Sequence, residues 1–203
     1  MTDDLAPPPF LVALNLTRRC NLNCAHCYLD AGSRESDDSG ELSTQEVKDL
    51  LDDIADLSEE TMVVFTGGEP LLRADLTDLV VHASGLGLMA VLGTTGMGLN
   101  DRRAVALQES GLQGVGISLD SLDAAAHDDF RGLPNSWVRA QAAIDACRRI
   151  GLRVQIHFSV NDDNAHELED MIAYARDVGA FVLNIFFLVC TGRGEKVTNI
   201  SAQ

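Results

Sequence analysis

Lysine is almost missing from this 203-residue chain. Lys48 and Lys196 stand beside thirteen arginines, and these fifteen basic residues face 31 acidic ones, for a formal net charge of −16. A surface so poor in positive charge argues against general nucleic-acid binding, which needs a basic footprint. It also disfavours docking on anionic lipid. Two accounts of the acidity stay open: adaptation to a salt-rich cytoplasm, where salt screens self-repulsion, and ordinary acidic composition. No apolar run reaches transmembrane length. The opening Met1-Thr2-Asp3-Asp4 lacks the basic and apolar regions of a secretory signal. Five cysteines, three of them clustered, do not form the spaced framework of a disulfide-stabilised secreted domain. The expectation is a cytoplasmic protein.

With 46% hydrophobic residues, the chain is large enough for one domain with a sizeable core. Residues 1–10 contain Pro7-Pro8-Pro9 and read as an extended arm, with the core domain over 11–203. Strand-like apolar runs recur at Leu11–Leu16, Met62–Thr66, Leu88–Gly93, Gly114–Leu119, Leu152–Ser159 and Phe181–Val189. Helical patterns fall between them. The clearest begins at Ser43, which forms an S-x-x-E capping box with Glu46. Others are expected near 74–84, 101–110, 136–150 and 164–178, with Gly85, Gly111, Gly151 and Gly179 after their ends. Strand and helix alternate six times, which implies an α/β fold with a parallel sheet and right-handed crossovers. A doubly wound sheet and a partial barrel both fit this rhythm.

The most informative segment is Cys20-Asn21-Leu22-Asn23-Cys24-Ala25-His26-Cys27, directly after the first apolar run. Its C-x3-C-x2-C spacing presents three thiolates in one short loop. Thiolate sulfur suits zinc or iron–sulfur clusters. On a cubane cluster of four irons, three cysteines leave one iron without a protein ligand, and an open metal position implies chemistry. A structural zinc loop is the alternative. It needs a fourth ligand, and His26 lies between Cys24 and Cys27, where strain opposes joint ligation.

Together with Gly67-Gly68-Glu69-Pro70 after the second apolar run, this loop resembles the radical S-adenosylmethionine (SAM) superfamily. The resemblance extends from about Leu11 to the end of the chain. It implies an open partial (βα)6 TIM-like barrel with parallel strands. It also implies a 4Fe–4S cluster on Cys20, Cys24 and Cys27, with SAM chelating the open iron. The GGEP turn, Gly67 to Pro70, is expected to receive the methionine amino group, and His26 to lie against the adenine. Glu69 either accepts a hydrogen bond or stabilises the turn. Reductive cleavage of SAM then gives a 5′-deoxyadenosyl radical that abstracts hydrogen from an unactivated carbon. Such chemistry calls for a reducing electron donor such as a ferredoxin or flavodoxin.

Further cofactor contacts are expected at the ends of later strands, where parallel α/β folds build their sites. Thr94 is a candidate for the SAM carboxylate. Thr95 departs from the Thr-Asn-Gly that many relatives carry here. Ser118, in Ile117-Ser118-Leu119-Asp120, resembles a serine that approaches the methionine or ribose part of SAM, while Asp120 caps a helix or anchors a loop. Arg131, in His127-Asp128-Asp129-Phe130-Arg131-Gly132, has the fork geometry to bind a carboxylate, or to hold a loop ion pair. The fifth strand alternates apolar residues with Arg153, Gln155, His157 and Ser159. That pattern suits either a face on a cavity or an edge strand. Cys147 and Cys190 read as core cysteines.

Three segments resemble the tetrapyrrole-modifying branch: Asn15 to Cys20, the HDDFRG stretch, and Phe186 to Gly194. This implies side-chain removal or decarboxylation on an iron tetrapyrrole in alternative haem or haem d1 biosynthesis. The carboxylates of such a substrate need cationic partners, and Arg131, Arg153 and Arg193 are the candidates. Peptide-modifying maturases with auxiliary clusters share much of this core and form the alternative. A non-catalytic metal-binding module is the alternative from another class. Many relatives continue into a cysteine-rich C-terminal domain, so the chain is expected to be a fragment cut near the core boundary, with a naturally minimal protein as the alternative.

Overall fold

In the computed structural model, residues 7–32, 40–188 and 191–196 are described. Six parallel strands pair in sequential order, β1 to β6. They are β1 (Leu11–Asn15), β2 (Met62–Thr66), β3 (Met89–Thr94), β4 (Gly114–Ser118), β5 (Arg153–Val160) and β6 (Val182–Phe187). The helices are α1 (Thr44–Leu57), α2 (Leu76–Gly85), α3 (Asp101–Glu109), α4 (Ala124–Arg131), α5 (Ser136–Arg149) and α6 (Leu168–Asp177). The sheet curls into a half-barrel, which decides between the two architectures that the alternation allows. Among the described residues no helix is long and apolar enough to cross a membrane.

Local chemistry places the helices. Ser43 caps α1 with both halves of the expected box: its hydroxyl accepts from the Glu46 amide, and Glu46 accepts from the Ser43 amide. Helix α4 begins three residues before the His127–Gly132 stretch that sequence analysis treats only as a motif and runs through most of it. Asp123 caps its start through the Ala126 amide, and Gly132 ends it in the left-handed region at φ 67°. Gly85 does not terminate α2 as expected. It is the last helical residue, and Gly87 takes the positive φ instead. Pro9 and Phe10 of the extended arm are tied to the sheet: the Thr61 hydroxyl donates to the Pro9 carbonyl, and the Met62 amide to the Phe10 carbonyl.

Strand register divides the side chains into two faces, because successive residues point to opposite sides. Val63, Phe65, Ala90, Leu92, Val115, Ile117, Val154, Ile156 and Phe158 are fully or almost fully buried. They form one core with Leu51, Leu79, Leu107, Ile144 and Met171 of the helices. The opposite set lines the concave side: Asn15, Thr66, Gly93, Gly116 and Ser118, then Gln155, His157, Asn184 and Phe186. Strand β5 lies between β4 and β6 and is not an edge. Its polar alternation therefore marks the concave face, as the cavity alternative holds.

Candidate active site

The loop after β1 carries the three cysteines and is fixed along its length. The Gly68 amide donates to the Thr17 carbonyl (2.7 Å) and the Glu69 amide to the Arg19 carbonyl (2.9 Å). The Cys20 amide donates to Gly32 (2.8 Å), the Asn23 amide to Arg131 (3.2 Å) and the Ala25 amide to Phe130 (3.0 Å). The buried Arg73 reaches the Leu16 carbonyl through Nη1 (2.9 Å) and forks onto Asp75 through Nε and Nη2 (2.8 and 2.6 Å). Arg193 closes the loop from the far end of the chain. Its Nε donates to the Cys24 carbonyl (2.9 Å), and its Nη1 meets Asp30 Oδ1 (2.8 Å) and the Ala31 carbonyl (3.0 Å).

Among the described residues each of the three sulfurs receives one N–H. The Leu22 amide points to Cys20 Sγ (3.4 Å), the Ala31 amide to Cys27 Sγ (3.3 Å) and Arg131 Nη1 to Cys24 Sγ (3.7 Å). Burial pushes the Cys20 thiol up to about 11 and raises that of Cys24 as well, although Arg131 counteracts the latter. These groups stay protonated on their own, so a bound metal must supply the charge that makes them thiolates. Among the described residues no three His, Cys, Asp or Glu side chains converge on a single ion. Three cysteines in one loop, with an N–H directed at each sulfur, form a donor set that fits an iron–sulfur cluster.

The GGEP turn does not lie free in front of the loop but packs on its backbone. A Cβ on Gly68 would lie 2.3 Å from the Arg19 carbonyl oxygen, and one on Gly67 2.7 Å from that of Thr17. Glu69 is fully buried and saturated. It accepts from the Leu71 amide (3.0 Å), Thr94 Oγ1 (2.7 Å), the Thr95 amide (3.0 Å) and Thr95 Oγ1 (2.5 Å). Burial raises its carboxyl above the ordinary range, and these donors oppose that shift. Glu69 thus meets both expectations at once, because the hydrogen bonds it accepts are what anchor the turn. Pro70 is buried and opens the 3-10 turn Pro70–Leu72. Thr94 spends its hydroxyl hydrogen on Glu69, not on a free carboxylate. Thr95 makes two of the four bonds to the same anchor.

His26 stacks flat on Phe130, with ring centroids 4.3 Å apart and 5° between the planes. Burial first, and then the nearby Arg131 charge, lower its pKa to about 4, so the ring is neutral. Its Nδ1 and the Asn21 Oδ1 are buried without a hydrogen-bond partner among the described residues. Ser118 sits opposite His157 in register on the concave face and has no side-chain partner among the described residues. Arg131 is buried and pairs with Asp120 through Nε (2.5 Å). Burial works against the Asp120 charge, but Arg131 holds its carboxyl below the usual range.

Each of the three arginines named for substrate carboxylates has a protein partner, and for Arg131 it is the loop ion pair that the sequence also allows. Arg131 is engaged with Asp120 and Cys24, and Arg193 with the cysteine loop. Arg153 begins β5, away from the carboxyl ends of the strands, and lies over the Phe181 ring at 4.9 Å. In their place the concave wall offers neutral groups. His157 lies against Gly116, where a Cβ would come within 2.2 Å of its ring, and it meets the edge of Phe186 at 5.3 Å. Asn184 donates to Gln155 (2.9 Å) beside it. Cys147 is fully buried, as expected of a core cysteine, and Cys190 falls outside the described residues.

A family model of the radical SAM superfamily matches residues 14–175. Among curated proteins, the chain is 37% identical over 195 residues to an AdoMet-dependent heme synthase of Oleidesulfovibrio alaskensis, covering 96% of this chain and 50% of that protein. It is 35% identical to an Fe-coproporphyrin III synthase of Methanosarcina barkeri and 36% identical to a pre-heme d1 synthase of Dinoroseobacter shibae. Each of these matches covers 93% of this chain and 46% of the relative. A PqqA peptide cyclase of Xanthomonas euvesicatoria is 37% identical over 84% of the chain. The chain spans about half the length of these relatives. Among solved structures, Streptococcus suis SuiB bound to S-adenosylmethionine superposes with a TM-score of 0.75 at 15% identity, covering 97% of this chain and 44% of that one. The anSMEcpe structure with AdoMet and a Cp18Cys peptide gives 0.72 at 18%, with 90% and 52% covered. These two likenesses speak for the fold.

Proposed function

Because the chain belongs to the radical SAM superfamily and is an enzyme, we propose that it removes or decarboxylates side chains of an iron tetrapyrrole in haem or haem d1 biosynthesis. Cys20, Cys24 and Cys27 hold the cluster. The observation that carries this reading is the N–H directed at each of three clustered sulfurs, a feature that tunes iron–sulfur centres, in a chain whose family model is that of the radical SAM superfamily. Bound there, a reduced 4Fe–4S cluster supplies the electron that splits SAM into methionine and a 5′-deoxyadenosyl radical.

The remaining residues bind, orient and shield. The buried, unpartnered atoms of His26 and Asn21 suit a polar ligand beside the loop. The His26 ring, backed by Phe130, offers a stacking surface for adenine. The Gly67 and Gly68 carbonyls accept no hydrogen bond among the described residues and are open to an ammonium group. Glu69 acts through the backbone by fixing this turn. The concave wall of Ser118, Gln155, His157, Asn184 and Phe186 receives the substrate. Its neutral hydrogen-bonding groups suit carboxylate side chains, and Phe186 suits a flat apolar ring. An external one-electron donor of the ferredoxin or flavodoxin type completes the cycle.

Likeness over nearly the whole chain to relatives named for haem, Fe-coproporphyrin III and pre-heme d1 synthesis supports the tetrapyrrole. The test is an anaerobic assay of the longest natural form of the chain with SAM, a reductant and an iron tetrapyrrole. Loss of side-chain carboxylate from the tetrapyrrole is the expected result. Turnover of a peptide but not of a tetrapyrrole overturns the substrate in favour of a maturase. One zinc per chain, with no iron or sulfide after reconstitution, overturns the enzyme reading of the loop.

A further inference from the structure

The three sulfurs are not treated alike. Cys20 and Cys27 receive neutral backbone amides, whereas Cys24 receives a guanidinium. The Arg131 backbone is tied to the cysteine loop. The ends of α4 and of the loop are joined at Asn23–Arg131 and Ala25–Phe130. Gly132 allows that approach, because a Cβ there would lie 2.6 Å from the Asn23 carbonyl oxygen. Asp120 holds the guanidinium from the other side and is itself fixed. Its Oδ1 accepts from the Ser159 amide (2.9 Å), its carbonyl from Asn164 Nδ2 (2.8 Å), and its amide donates to His127 Nδ1 (3.1 Å). A buried positive charge therefore stands at a set distance from one cluster ligand, with a buried negative charge directly behind it.

We infer that the Arg131–Asp120 pair sets the reduction potential of the iron–sulfur centre, Arg131 raising it and Asp120 lowering it. The inference rests on the reading of the loop as a 4Fe–4S site. Reduction places one more negative charge on the cluster and makes or breaks no bond, the electron coming from the external donor. A cation beside a ligating sulfur stabilises the reduced state, and an anion behind it opposes that effect. Burial leaves both charges little screened by solvent. This role is separate from the SAM carboxylate contact that the sequence suggests for Arg131, since it operates before SAM binds.

The experiment is a redox titration of the reconstituted natural chain without SAM, followed by electron paramagnetic resonance. The variants are Arg131→Lys, Arg131→Gln and Asp120→Asn, each used only with iron and sulfide matching the wild type. Arg131→Gln keeps a neutral N–H and should become harder to reduce, about tenfold in the one-electron equilibrium, or ~59 mV. Asp120→Asn should become easier to reduce, and Arg131→Lys should stay near the wild type. General loosening of the site moves the variants in one direction, whereas charge moves the two neutral substitutions oppositely. Any inversion of the order, or coincidence of all potentials, overturns the inference, and two variants that keep the cluster are enough to establish the order. Weaker SAM affinity with unchanged potentials would return Arg131 to the SAM carboxylate. A wild-type chain that takes up no four-iron cluster would instead sink the reading of the loop.

Discussion

Gly68 and Arg19 are in backbone contact: a methyl group on Gly68 would lie 2.3 Å from the Arg19 carbonyl oxygen, next to the first cysteine of the loop. The glycine turn and the cysteine loop are thus one packed unit. The geometry places the first collision on protein backbone, which cannot yield as a flexible side chain can. Gly68→Val should therefore lose cluster as well as SAM, with iron and sulfide falling well below about four each per chain. Full cluster content with weakened SAM binding would show that the turn moves independently of the loop.

The His26–Phe130 stack makes a second case. Phe130 fixes the plane that His26 offers to a ligand. An aromatic pair of this kind is worth about 0.5–1.5 kcal/mol beyond area burial, or roughly two- to twelvefold in a dissociation constant. Phe130→Ala should weaken SAM binding by about that factor, while Phe130→Tyr keeps the stack and the affinity. Calorimetry on the cluster-loaded protein decides. Equal affinity in wild type and Phe130→Ala would make the stack a packing feature only.

Much of this arrangement was legible in the chain, and the limits have physical causes. The cysteine spacing, the turn and the six-fold alternation are local signals, and each lies where the fold needs it. Helix α4 was missed although its signals are present: three alanines after an aspartate cap, with glycine at the end. Partner choice was not legible. Glu69 meets Thr94 and Thr95, 25 and 26 residues later, and Arg193 meets Cys24, 169 residues earlier. A sequence shows that a charge exists but not which neighbour takes it. For that reason Arg153 and Arg193 read only as substrate cations, although both are engaged with protein, while for Arg131 the loop ion pair stays open as an alternative and is the one found. The neutral wall beside Gly116 was only partly visible, because the space that His157 occupies is created by a residue on another strand.

Buried histidines should make stability depend on pH. Burial lowers the pKa of His127 and of His157 from the ordinary 6.5 to about 4. His127 also accepts the Asp120 amide on Nδ1, a bond that protonation destroys. Between pH 6.5 and 4 the unfolded chain binds protons at these positions and the folded chain does not. Stability must therefore rise with pH across that window and fall as it is acidified. Each pKa unit corresponds to about 1.36 kcal/mol per group. Urea unfolding at pH 7 and pH 5 should show the loss, and His157→Asn should reduce it. A slope unchanged in that variant would remove His157 from the account.

The last expectation concerns the concave wall. His157 has room only because Gly116 lacks a side chain, and Phe186 bounds it on the other side. Gly116→Ala puts a methyl group within 2.2 Å of the ring and must displace it. His157→Ala removes the same hydrogen-bonding group by a different route. Both changes lie on one strand pair and leave the cysteine loop untouched. If this wall positions substrate, the two variants share one phenotype: a raised KM for substrate and more 5′-deoxyadenosine formed per product molecule, because the radical forms without a well-placed carbon to react with. One neutral hydrogen bond is worth about 0.5–1.5 kcal/mol, so KM should rise roughly two- to twelvefold. His157→Gln, which keeps donor and acceptor, should recover part of the coupling. Two variants with wild-type KM and coupling would place the substrate elsewhere on the concave face and leave His157 as packing for Phe186.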